Sequence, residues 1–280
     1  GIDINELRRK QFTIKFKKPS FKSISLFDFH EPVDIFIVAT PTTSHKKIIS
    51  DIIKKYRPKL ILCEKPIAYK TEEAKYILNI CKDNKIKLYI NYMRRSDPAI
   101  LKISKMISNK KFIMPVKGVV WYSKGLIHSG SHFVNLMQFL FGEVQDCKII
   151  NKRKGTNYYD IEADFELDFK KAKIVFISIK EENFSHYTFE LIFKNARLRY
   201  DYAGNKITYE YPEKNKIIEG YSELIGKEFL LKAQINLHQL NVVKEIYNIL
   251  NNKPNNLCSG KEAFETLKIT HLINKIYEKK

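Results

Sequence analysis

The sequence predicts an α/β chain, in which a doubly wound parallel sheet is followed by an α+β domain with a mostly antiparallel open sheet. Three observations carry that reading. In the first third, short unbroken apolar runs alternate with segments of helical periodicity, as strands buried on both faces of a parallel sheet do. Beyond Pro115, several alternating strands follow one another with short connections, which reads as antiparallel pairing. Two helical segments then close the chain.

The elements follow in order. Val33–Thr40 is an apolar run that ends in a polar turn, a strand expected to be buried on both faces. His45–Tyr56 repeats Ile48, Ile49, Ile52 and Ile53 at helical spacing. Leu60–Cys63 is a second buried strand. Thr71 reads as the N-cap of the next helix, with Glu72 and Glu73 in its first turn. Lys87–Asn91 is a third strand, and Asp97-Pro98 opens a helix running to about Asn109. These repeated βα units form the first domain, residues 1–115.

The second domain spans 116–280. Val116–Tyr122 reads as a strand, and Ser129–Phe141 as a helix stopped by Gly142. Ile161–Tyr211 holds the run of strands. Ala233–Asn251 and Ser259–Glu278 are the closing helices, the latter with Ser259 and Glu262 spaced as a capping box.

Composition narrows the function classes. The chain carries 50 Lys+Arg against 31 Asp+Glu, a net charge of +19. The excess is mostly Lys, spread along the chain without an arginine-rich arm, so it reads as solvated helix faces, not as a specific nucleic-acid surface. That field still attracts an anionic ligand. No stretch reaches the roughly 18 apolar residues of a membrane span. The start has no basic segment leading into an apolar one, as a signal peptide would. Cys63, Cys81, Cys147 and Cys258 form no CxxC pair, which fits reduced thiols and a cytoplasmic setting. No metal site is expected: His128 and His132 are four apart but lack an HExxH pattern and a third ligand.

Three motifs bear on chemistry. Ala39-Thr40-Pro41-Thr42-Thr43-Ser44-His45 ends one strand, and Cys63-Glu64-Lys65-Pro66 ends the next. Gly125-Leu126-Ile127-His128-Ser129-Gly130-Ser131-His132-Phe133-Val134-Asn135 opens the second-domain helix. Asn91–Pro98 adds a turn containing Arg94 and Arg95. In order and spacing these segments resemble the ATPxxxH, EKP and GxLxDxGxHxxD motifs of the glucose–fructose oxidoreductase/inositol dehydrogenase (Gfo/Idh/MocA) family, and the resemblance covers nearly the whole chain.

The resemblance implies NAD, with Thr40, Pro41, His45, Glu64, Lys65 and Arg95 on the cofactor. Ligands of open α/β sheets do bind beyond the carboxyl ends of the strands. It implies Lys65 and His132 as the proton-handling pair of a hydride transfer. From local sequence each has a plainer reading: Lys65 a surface lysine in a turn, His132 a helix N-terminal side chain bonded to backbone. His128 departs from the pattern, which has Asp there; it either joins a different triad with Lys65 and His132 or contacts an anionic substrate. Asn135 replaces a later Asp and retains hydrogen-bonding capacity for a sugar hydroxyl. Trp121, Tyr122 and Lys124 are further candidates for the substrate side.

Gly1-Ile2-Asp3-Ile4 aligns with the end of the second strand of a Rossmann sheet, where Asp3 would bond the adenosine ribose and favour NAD over NADP. No GxGxxG turn occurs among the ten glycines. The first strand and its helix are therefore expected to be missing, leaving an N-terminally truncated sheet. The family implies a sugar or nucleotide-linked sugar as substrate, in surface-polysaccharide synthesis, and a homo-dimer or homo-tetramer. The competing reading is a non-catalytic relative that keeps the fold and binds a sugar or a protein partner.

Overall fold

The computed structural model describes residues 1–28, 32–154, 160–179 and 184–275. The chain divides into two compact units. The first comprises Gly1–Ile90 with Ser259–Lys261, and the second Asn91–Cys258 with Glu262–Lys280.

In the first unit, α1 (Glu6–Phe16) is capped by Asn5, whose side chain accepts the Arg8 N–H. Its sequence carries apolar residues without a helical stripe, and none of its residues is buried. The parallel sheet consists of β1 (Ile35–Val38), β2 (Leu60–Cys63) and β3 (Lys87–Ile90), edged by a two-residue strand at Cys258–Ser259. The pairs Ile35–Leu60 and Leu60–Lys87 set its register. Connections run through α2 (His45–Lys55) and α3 (Thr71–Asp83). Ile49, Ile52 and Ile53 of α2, with Ala74, Ile77 and Cys81 of α3, recur every three to four residues and are all buried. Gly260 is where the returning chain crowds this unit: a Cβ there would lie 2.7 Å from Leu78 Cδ2 and 2.9 Å from Leu88 Cδ2.

Three expectations need correction here. The central strand β2 is buried throughout, as its run of apolar residues predicts, but β1 is covered on one face only: Phe36 and Val38 are buried while Ile37 is 60% exposed. Thr71 is the first residue of α3, not its cap, and its hydroxyl donates to Glu72 Oε1 at 3.0 Å. Among the described residues Gly1–Ile4 joins no strand of the sheet; Ile2 makes an isolated parallel bridge to Phe21.

The second unit opens with α4 (Pro98–Ser108), whose N-cap Asp97 accepts the Ala99 N–H at 2.8 Å. Next come β4 (Val116–Tyr122), α5 (Ser131–Phe141), β5 (Val144–Lys154), β6 (Ile161–Phe169), β7 (Ala172–Ser178), β8 (Thr188–Phe193), β9 (Arg197–Asp201), β10 (Lys206–Glu210) and β11 (Phe229–Leu231). They form one eight-stranded sheet in the order β11-β10-β9-β8-β4-β7-β6-β5. Pairing is antiparallel except between β4 and β7.

One face of this sheet is the core. Phe165 stacks on Phe176 at 4.5 Å, and Phe189 on Tyr200 at the same distance. Phe133, Val134, Leu136 and Met137 of α5 are fully buried in the same cluster, together with Ile100 and Ile103 of α4. The alternation of β6 is legible in Phe165 and Leu167 facing in while Asp164, Glu166 and Asp168 face out. The edge strand β5 is lysine-rich and lacks that alternation, a composition suited to an unpaired edge and silent to periodicity.

The closing helices are α6 (His238–Leu250) and α7 (Gly260–Lys275). The expected start of α6 at Ala233 is displaced because the Gln234 N–H is committed to Asp97 Oδ2 (2.9 Å) and its backbone is non-helical. The expected end of α7 at Glu278 lies outside the described residues. All four cysteines are free thiols, and no described helix is long and apolar enough to cross a membrane.

Candidate active site

In the first unit the candidate residues collect at the carboxyl ends of β1 and β2. Thr40 and Pro41 follow β1 directly, and Ser44 Oγ lies 2.8 Å from Thr40 Oγ1 and 2.7 Å from Pro41 O, closing the turn. Glu64, one residue past β2, extends the ladder by donating its N–H to Val38 O at 2.9 Å. Thr40, Glu64 and Lys65 are half-buried, open on one side. His45 sits beneath them, fully buried, with Nε2 2.9 Å from Thr40 O and Nδ1 3.2 Å from Ile67 O. The imidazole thus ties the turn after β1 to the turn after β2, which assigns it to holding the two loops in register. In the same unit, Asp3 Oδ1 accepts the Asn5 N–H at 2.8 Å and its carboxylate faces Arg8.

In the second unit, His128 lies within the turn that feeds α5, and His132 is the second residue of that helix. Gly125 enters it at φ +83°, and the N–H groups of Ser129 and Gly130 both reach Gly125 O (3.1 and 3.0 Å). This wide turn exposes His128 and leaves His132 half-buried, edge-on to the Tyr92 ring at 5.6 Å. Burial raises the Tyr92 phenol well above its ordinary value, with Cys258 adding to the effect and a hydrogen bond with Ser131 opposing it. Tyr92 is therefore a neutral wall.

The remaining candidates divide by environment. Arg95 is 5% exposed, paired with Glu262 at 2.6 Å and set over Phe139. Its neighbour Arg94 binds the Tyr200 hydroxyl and Ala203 O, over the Phe133 ring. Asn135 is 1% exposed and donates to Thr266 Oγ1 (2.9 Å) and Cys258 Sγ. Tyr122 is wholly buried and donates to Ala163 O at 2.6 Å. Trp121 and Lys124 are exposed. Among the described residues no cluster of His, Cys, Asp and Glu could hold a metal ion.

Asp160 is a participant that the sequence motifs do not mark. It is buried, and its two carboxylate oxygens accept the N–H groups of Ile127 (2.7 Å) and His128 (2.8 Å). It sits more than thirty residues from the turn in sequence and belongs to no local pattern, so only the packing of the start of β6 against the turn discloses it.

Comparison with known proteins places this geometry in context. Residues 2–92 match the model of GFO_IDH_MocA, an oxidoreductase family with an NAD-binding Rossmann fold. Inositol 2-dehydrogenase of Rhizobium meliloti (strain 1021) is 30% identical over 90 residues, 31% of this chain and 26% of that protein. The rhizopine catabolism protein MocA of Rhizobium meliloti is 37% identical over 68 residues, 24% of this chain and 21% of its own length. The chain thus spans about a quarter of the curated relatives it matches. Solved structures share the fold across both units. UDP-N-acetylglucosamine 3-dehydrogenase of Acidithiobacillus ferrooxidans superposes with a TM-score of 0.79 at 15% identity, covering 97% of this chain and 87% of that one. A levoglucosan dehydrogenase, in complex with NADH and levoglucosan, gives 0.79 at 14% identity over 98% of this chain and 86% of its own. The WlbA dehydrogenase of Bordetella pertussis, in complex with NADH and UDP-GlcNAcA, gives 0.72 at 14% identity over 96% and 85%.

Proposed function

We propose, from the match of residues 2–92 to the Gfo/Idh/MocA oxidoreductase model with its NAD-binding Rossmann fold, that this chain is an NAD(H)-dependent dehydrogenase acting on a hydroxyl-bearing carbon of a sugar or nucleotide-linked sugar. The observation that carries the reading is the cluster of Thr40, Glu64 and Lys65 at the carboxyl ends of parallel strands, with His45 tying their loops. Ligands of open parallel sheets bind at that edge. These residues fit the ribose and nicotinamide part of the cofactor. The diphosphate requires a glycine turn, and no GxGxxG stands among the ten glycines, so no step is assigned to that end.

When bound, NAD supplies the acceptor or donor for a hydride. The chain's own residues handle the rest. Lys65 is the first unit's candidate for exchanging the proton of the reacting hydroxyl, and His132 is the second unit's candidate acid–base group. Glu64 and Thr40 hold cofactor hydroxyls. The net charge of +19 draws an anionic, nucleotide-linked substrate toward the protein, and two proteins of the same fold, the WlbA dehydrogenase and UDP-N-acetylglucosamine 3-dehydrogenase, carry a UDP-sugar as ligand or in their name, which supports the same class. A cytoplasmic homo-dimer or homo-tetramer acting in surface-polysaccharide synthesis is the setting we propose.

The test is a titration of the chain with NADH, read by energy transfer from Trp121, the one tryptophan, followed by a screen of sugars and UDP-sugars for NAD reduction. Saturable binding with turnover supports the proposal. Binding without turnover on any sugar moves the reading to a non-catalytic relative, which the His128 departure also allows. Absence of binding refutes the cofactor assignment for this chain.

A further inference from the structure

The turn that presents His132 depends on a carboxylate from elsewhere in the second unit. Four consecutive N–H groups of the turn have partners. Ser129 and Gly130 donate to Gly125 O, and Ile127 and His128 donate to the two oxygens of Asp160. Asp160 is 8% exposed, and buried hydrogen bonds to an ionised acceptor are the strong kind. Contact is tight from the other side too: a Cβ on Gly125 would lie 2.3 Å from Asp160 Oδ2, and Gly125 holds φ +83°, a region closed to most residues. A glycine, two amides and one carboxylate therefore interlock where the chain turns into α5.

We propose that Asp160 is a positioning residue: it fixes the backbone of Ile127 and His128, and through that turn the direction in which His132 meets its substrate. Only the kinetic consequence rests on the dehydrogenase reading above. The geometric consequence stands without it. Lost orientation of about 1 Å at a reacting group costs on the order of 10²-fold in rate.

The experiment uses two variants of the full chain that strike the contact from opposite sides. Asp160→Asn is nearly isosteric but replaces one acceptor by an amide donor facing an N–H. Gly125→Ala pushes a methyl group into the carboxylate. The imidazole NMR signals of His132 are compared between the variants and the unmodified chain, with those of His45 in the first unit as internal reference, alongside kcat, KM and NADH affinity. Both variants should displace the His132 ring signals and leave those of His45 in place. Where turnover is present, kcat should fall about 10²-fold with NADH affinity unchanged. Superimposable His132 signals in a folded variant overturn the proposal. Should neither variant fold, the unmodified chain decides by amide hydrogen exchange: the Ile127 and His128 N–H groups should be protected as the Gly130 N–H is, and fast exchange of both overturns the proposal. Absence of turnover in the unmodified chain counts against the dehydrogenase reading alone, since the ring signals need no substrate.

Discussion

Trp121 and Tyr122 are neighbours in sequence and opposites in environment. Successive side chains of a strand face opposite sides of the sheet, so Tyr122 enters the core at 0% exposure while Trp121 stands 39% exposed on the other face. The two cannot line one cleft. Burial pushes the Tyr122 phenol far above its ordinary value, although its hydrogen bond to Ala163 acts the other way. Its hydroxyl serves both backbone groups of Ala163, donating to the carbonyl and accepting from the N–H. Tyr122→Phe should therefore destabilise the chain by about 1–3 kcal/mol, since it leaves buried partners unsatisfied, and urea unfolding measures it; an unchanged midpoint would refute the role. Lys65 is the contrasting case, half-buried at the open end of the sheet. Lys65→Met should lower kcat by about 10²–10⁴-fold, the usual contribution of a positioned acid–base group, while NADH affinity stays within a few-fold. Equal loss of kcat and binding would make it a cofactor anchor instead.

Among the elements, α4 and α6 are joined by an acid that does two jobs. Asp97 caps α4 through the Ala99 N–H and also accepts from the Gln234 N–H and from His238 Nε2 at 3.0 Å. Burial by itself would raise its carboxyl, but the hydrogen bonds from His238, Gln234 and Ala99 outweigh that and hold it below the ordinary 3.8. A carboxyl whose folded-state pKa is depressed stabilises the fold fully above its unfolded value and loses that contribution as pH falls through the folded one. The stability gap between the natural chain and Asp97→Asn should thus narrow as pH drops from about 5 to about 2. Urea midpoints across that range check it, and a gap independent of pH would show that the contacts do not depend on the charge. The α4 cap was legible from Asp97-Pro98, a local signature. The tie to α6 was not, because Gln234 and His238 stand more than 130 residues away.

Across the whole molecule the charge balance is one-sided. With 50 cationic against 31 anionic side chains, self-repulsion opposes compactness and salt screens it. The melting temperature should rise between low ionic strength and about 0.15 M salt, where the screening length is about 8 Å; a fall would mean that local ion pairs outweigh the net field. Such pairs exist on the second unit's sheet, as where Lys173 bonds Glu166 and Asp168, but exposed pairs contribute little each.

Sequence by itself determined most of the elements and their kind, though not α1 or β5. Unbroken apolar runs gave β2, period-two alternation gave β6 and β8, isoleucines at helical spacing gave α2, and three ordered motifs pointed to the family that residues 2–92 match. Those signals are local, set by backbone periods of 2 and 3.6. Tertiary structure alone decided which side chains are spoken for. Arg95 is paired with Glu262, Asn135 is held by Thr266, His45 is clamped between two loops, and Asp160 anchors the turn before His132. The physical reason is that a buried polar group takes whatever partner the fold brings within hydrogen-bond reach, and no spacing along the chain records a partner that packing, not periodicity, supplies.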